Sequence, residues 1–172
     1  ITRRFVEPEI RVSTMIRSHD DPSKVVDSVR SIFPEWNPKG VPGQSDFPIC
    51  RESVIIRGSA DSLDNLLSIL RESRVLDTAL DAMSMEADDE GTVFRISRQS
   101  ASIGKVSFVL GESPLGGTME VSLSGSGIVL WLEQNTWHSG RDYVPREVGD
   151  ELAMTASGDA SEWFESTRRE KN

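Results

Sequence analysis

The stretch GTVFRISRQSASIGKVSFVLGESPLGGTMEVSLSGSGIVLWL, Gly91 to Leu132, reads as three strands closed by a short helix. Thr92, Phe94 and Ile96 alternate with Val93, Arg95 and Ser97. Val106, Phe108 and Leu110 lie opposite Lys105 and Ser107 in the second run. Met119, Val121 and Leu123 lie opposite Thr118, Glu120, Ser122 and Ser124 in the third. Successive strand side chains face opposite sides, so a period of two gives each strand one buried and one wet face. An antiparallel sheet covered on a single side asks for that pattern. Pro114, Gly116 and Gly117 read as a hairpin loop between the last two strands. Arg98 to Gly104 is too long for a tight turn and suits one helical turn ended at Gly104.

Working outward toward the N-terminus, Glu9 to Ser18 alternates in the same way, with Ile10, Val12, Thr14 and Ile16 on one side. Asp21 and Pro22 then form a helix start. Val25, Val26, Val29, Ile32 and Phe33 follow at helical spacing, and Pro34 stops the helix. Pro34 to Cys50 reads as a loop that Trp36 and Phe47 pin to the core, and Ser53 to Arg57 as a short strand. Leu63, Leu66, Leu67 and Leu70 make one stripe, and Leu76, Ala79, Leu80 and Met83 a second. On one straight helix the stripes would fall about 220° apart at ~100° per residue. A break near Arg71 to Arg74 lets both face one sheet. Ile128 to Gln134 is a helix entered through Ser124-Gly125-Ser126-Gly127.

These elements predict one α+β domain over 9–136, with a mixed, mainly antiparallel sheet and helices packed on one face. An acidic, partly disordered or helical tail over 137–172 follows, and Trp163-Phe164 is its one apolar point. The net charge of −9 over 172 residues argues against a chain that coats DNA generally, but the sum conceals any local basic surface. Cys50 is the only cysteine, which excludes an internal disulfide and suggests a reducing compartment. The longest apolar run, Ile128 to Leu132, is far short of the ~18 residues of a spanning helix. The reading is therefore cytoplasmic, with no membrane partner.

FRISRQSASIGKVSF (Phe94 to Phe108), SPLGGTMEVSL (Ser113 to Leu123), LRESRVLDTAL (Leu70 to Leu80) and DDPSKVVDSVRSIFP (Asp20 to Pro34) together resemble an archaeal family, uncharacterised protein family 0201. The resemblance spans about Glu9 to Thr136. It implies a fold similar to the large-subunit ribosomal protein that binds 5S RNA, and RNA binding as the function. It brings no catalytic residues with it.

The residues themselves offer one surface. With all strands in one sheet, Arg11, Arg17, Arg57, Arg95 and Lys105 fall opposite the aliphatic positions, Arg98 sits just past its strand, and serines fill between them. Guanidinium groups and hydroxyls on an open sheet can hold phosphates and 2′-hydroxyls. The same residues would also serve simply as the solvated face that keeps strands from pairing. Apart from Met15 no large side chain is expected there, so the stacking platform of single-strand binders is missing. Structured RNA held by its backbone is the better form of the reading. Arg71 and Arg74 could extend the surface, though pairing with Glu72, Asp77 or Asp81 is the plainer expectation.

Other chemistry finds little support. Gly111 to Leu115 begins like a nucleophile elbow but has Leu115 where a glycine belongs, and it joins two strands. Gly125-Ser126-Gly127 lacks the third glycine of a phosphate-binding turn. His19, Asp20 and Asp21 lack metal-site spacing with His138, and Cys50 has only Arg51 to lower its pKa. No enzyme, cofactor or metal is expected. The alternative to RNA is a protein-interaction or self-assembly module, either a homodimer or a partner held at a strand edge or by the tail.

Overall fold

The computed structural model describes residues 7–44 and 51–149. Phe47, Cys50, Trp163 and Phe164 lie outside these residues. Five strands, β1 (Glu9–Ile16), β2 (Asn37–Lys39), β3 (Val54–Ala60), β4 (Gly91–Ser97) and β5 (Thr118–Ser124), form one sheet in the order β2-β3-β1-β5-β4. Every described strand pairing is antiparallel. The helices are α1 (Pro22–Ile32), α2 (Asp64–Glu72), α3 (Leu76–Ser84), the single turn α4 (Arg98–Ala101) and α5 (Ile128–Asn135). The architecture is α+β, as the alternation predicts.

The aliphatic sides of the strands and the stripes of the helices meet in one core. Ile10, Val12, Ile16, Ile56, Phe94, Ile96, Met119, Val121 and Leu123 are buried in a cluster with Val29, Ile32, Leu66, Leu70, Leu80, Met83 and Leu132. Asp21 caps α1 by accepting the Ser23 N–H at 3.0 Å, with Pro22 in the first turn. The leucine stripes do belong to two helices. Between them Arg74 takes φ +57, a left-handed kink that a continuous helix could not contain.

Two segments depart from the sequence reading. The Pro34 to Cys50 loop holds the edge strand β2, which pairs with β3 through Asn37↔Ser59, Pro38↔Gly58 and Lys39↔Arg57. Pro38 hides this strand from the sequence pattern, yet an edge tolerates a residue without an N–H. Trp36 is buried and donates its indole N–H to the Val12 carbonyl at 3.1 Å, so it pins the loop as expected. It fits because Gly58 has no Cβ: one there would lie 2.8 Å from the indole nitrogen and 2.6 Å from the Asn37 carbonyl oxygen.

The second departure is Lys105 to Leu110, which is an irregular segment beside β4 rather than a strand. It makes one isolated bridge, Ile96↔Phe108, with Ser97 N–H donating to Ser107 and Val109 N–H donating to Arg95. Phe108 still meets Phe94 edge-on, with ring centroids 5.9 Å apart, so its apolar alternation records partial packing rather than a full ladder.

Candidate nucleic-acid interface

Among the described residues the helices pack on one side of the sheet, and the other side is organised by register. One row crosses all five strands: Lys39, Arg57, Ser13, Glu120 and Arg95, each directly opposite the next. The neighbouring row is Asn37, Ser59, Arg11, Ser122 and Val93. With strands about 4.8 Å apart, Arg57 and Arg95 stand roughly 14 Å from each other. Arg11, Lys39 and Arg57 gather at the β2-β3-β1 side. There they line a concavity of about 540 Å³ with Glu9, Ser13 and Ser59.

The acids are distributed unequally. Glu9 holds Arg11 in an exposed ion pair of 2.7 Å, and Glu120 faces Arg95 across the β4-β5 register. Lys39 and Arg57 face one another, and among the described residues neither makes an ion pair. Like charges directly opposite in a ladder repel. Lys39 was invisible to sequence reasoning because its strand was. The strand-edge position three residues after the buried Trp36 is the only local hint.

The predicted cations do not all converge. Arg11, Arg57 and Arg95 share the open face as expected. Arg17 lies just beyond β1 at its rim, with Nη1 donating to the Leu115 carbonyl at 3.3 Å. Lys105 is exposed on the irregular segment outside the ladder. Arg98 departs most: it is 4% exposed and enclosed at the end of the sheet. Its Nε donates to the Gly116 carbonyl (3.0 Å), Nη1 to the Met15 carbonyl (2.7 Å) and Thr14 Oγ1 (3.3 Å), and Nη2 to Asp20 (3.0 Å). Gly117, at φ +78, makes room, since a Cβ there would fall 2.3 Å from Nη2. With its donors spent inside the fold, Arg98 cannot serve a ligand on the face.

Burial pushes the Asp20 carboxyl up, but the Arg17 N–H and the Arg98 guanidinium outweigh it and hold its pKa below the ordinary carboxylate value. A similar knot forms where the chain leaves α5. Arg141, on a 3₁₀ turn over Ser139–Asp142, is buried and donates to Asp77 (2.9 Å), the Glu133 carbonyl (2.9 Å) and Thr136 Oγ1 (3.0 Å). His138 Nδ1 accepts the Gly140 N–H at 3.2 Å, which leaves Nε2 as the donor to Asp77. Burial raises the Asp77 pKa, but Arg141 and His138 more than reverse this. Asp81 is held by Arg146. Among the described residues no ion pair joins Arg71 or Arg74 to Glu72, Asp77 or Asp81, where the plainer expectation had placed them.

The open face is also less uniformly polar than predicted. Met15 and Ile55 sit directly opposite one another on it, each 46% exposed. Ile55 shares its side of β3 with Arg57, so strict alternation places it there, and the expectation of Met15 alone is corrected.

Sheet, helices and in-register cations together define an open-faced α+β module. Residues 9–121 match the profile of a family described as RNA binding, and the chain belongs to that family. The UPF0201 protein of Methanothermobacter thermautotrophicus is 26% identical over 147 residues, covering 83% of this chain and 98% of that protein. The UPF0201 protein of Sulfolobus acidocaldarius is 30% identical over 115 residues, covering 61% of this chain and 71% of that one. The crystal structure of a UPF0201 protein from Methanococcus jannaschii superposes with a TM-score of 0.65 at 20% identity, over 75% of this chain and 99% of the other. At that identity the likeness bears on the fold alone. The archaeal family that the motifs resemble is the family found. No helix of the described residues is long and apolar enough to cross a membrane.

Proposed function

We propose that the chain is a non-catalytic RNA-binding module that holds structured RNA by its backbone on the open sheet face. Arg11, Lys39 and Arg57 make the main phosphate contacts, Arg95 and Arg17 lie at the flanks, and Lys105 adds charge from outside the ladder. The observation that carries this reading is the row Lys39-Arg57-Ser13 with Arg11 beside it: three cations and a hydroxyl over a broad concavity, two of the cations without an acid in register. An opposed pair of like charges is relieved by an anion between them, and an RNA backbone supplies such anions at regular spacing. The family description points to the same class of ligand.

The test is a titration of a labelled RNA hairpin at several salt concentrations. With about four phosphate contacts the slope of log K against log salt should be near −3, from roughly −0.7 to −0.9 per contact. Replacing Lys39 and Arg57 together by Ala should flatten the slope by nearly two. Binding that ignores salt, or no binding, would overturn the proposal.

A second reading, self-assembly through this face, draws on the exposed Met15 and Ile55. It predicts a dimer in sedimentation that would cover the cations required above.

A further inference from the structure

Met15 and Ile55 leave two aliphatic side chains half exposed at the Arg17 end of a surface made mostly of hydroxyls and charges. They line a hollow of about 180 Å³ with Ser13, Arg17, Thr118 and Glu120. The hollow adjoins the cationic concavity, with which it shares Ser13 and Glu120. On β3, Ile55 and Arg57 are two residues apart on one side of the strand, roughly 6.6 Å along it. An anion at Lys39 and Arg57 therefore stands about one nucleotide's reach from an apolar floor, with Arg17 on the floor's far side.

We infer that this hollow receives a single unpaired nucleotide next to a double-stranded stem. Its base would lie on Met15 and Ile55 while the flanking phosphates meet Arg57 and Arg17. The inference rests on the RNA-binding reading above and sharpens its substrate class. Paired bases in a stem offer their backbone but not their faces, so a stem alone would leave this floor unused. A base turned out of the stack presents a flat apolar surface, and protein sites for such bases use apolar as well as aromatic side chains. Charge favours this occupant over a second copy of the chain. A stable protein interface has an apolar core and buries upward of about 1,000 Å², whereas here two aliphatic residues are hemmed by Arg17, Arg57 and Glu120.

The experiment compares two labelled hairpins that differ only in one bulged purine, each titrated against the full chain. The wild type should bind the bulged stem roughly fivefold more tightly, the low end of what one stacked base contributes. Met15→Thr with Ile55→Thr, which keeps strand-forming side chains, should erase that preference and leave affinity for the plain stem unchanged. Equal wild-type affinity for the two hairpins would overturn this inference while the RNA-binding reading stood. Failure to bind either hairpin would overturn both. A wild-type dimer that the double substitution dissolves would assign the patch to a second copy and overturn the inference as well.

Discussion

Arg98 and Arg57 begin from the same chemistry and end in opposite situations. Arg98 is enclosed where β4 passes into α4, and its guanidinium donates to one carboxylate, one hydroxyl and two carbonyls. Arg57 lies on the open side of β3, opposite Lys39, with no acid in its row until Glu120 two strands away. A buried cation must be fully partnered because desolvation penalises any charge left over. A cation on a wet surface carries no such requirement, and its charge remains available to a ligand. Two arginines of one chain thus divide into a fastener and a contact by their surroundings alone.

The largest effect that separates them is on stability. Arg98→Ala leaves Asp20 without its guanidinium and should cost about 3 kcal/mol, measured by urea unfolding. RNA affinity of the remaining folded protein should hardly change. If instead it loses RNA with stability intact, the division between the two arginines fails. Gly58→Ala comes next, at about 2 kcal/mol, because its Cβ would collide with the Asn37 backbone and the Trp36 indole. This variant should also weaken RNA binding, since it displaces the strand that carries Lys39.

Arg57→Ala and Lys39→Ala should each lower affinity for structured RNA about five- to tenfold at moderate salt while stability holds or rises slightly. Arg95→Ala should cost no more than about twofold, because Glu120 already faces it. An Arg95 effect as large as that of Arg57 would show that the binding centre lies elsewhere on the face.

Acid offers a finer test. Asp20 and Asp77 both have folded-state pKa values below the ordinary one, so their contribution to stability is present above about pH 3.9 and is lost as pH falls through the lowered values. Asp20→Asn should flatten that acid limb of the stability curve. An unchanged limb would mean that the Arg98 corner is not held by charge.

Much of this was legible before any coordinate. Period-two runs marked β1, β4 and β5 because one face of each strand meets the core and the other meets water. The angular conflict between the leucine stripes marked the α2-α3 break, since a single helix cannot bury opposite sides against one sheet. The position of Arg57 opposite Ile56 was sufficient to put it on the wet face. What failed was anything that depended on a neighbour from another part of the chain. The strand β2 is three residues with a proline at its centre, and it exists only because β3 offers it an edge and Gly58 admits Trp36. Arg98 reads as one more basic residue after a strand, and Gly116 and Gly117 on one side and Met15 and Asp20 on the other enclose it from two distant segments. Arg141 lay in what read as a fading tail until Asp77 and Thr136 claimed it.

The sequence by itself determined most of the elements, the side of each that faces the core and the family, because periodicity and motif are local properties of the chain. Tertiary structure alone decided which cations stand in register, which are consumed as internal ties, and that Met15 meets Ile55 beside them. Strand register brings together residues as far apart in the chain as Glu9 and Ser124, and no local pattern encodes which partner arrives.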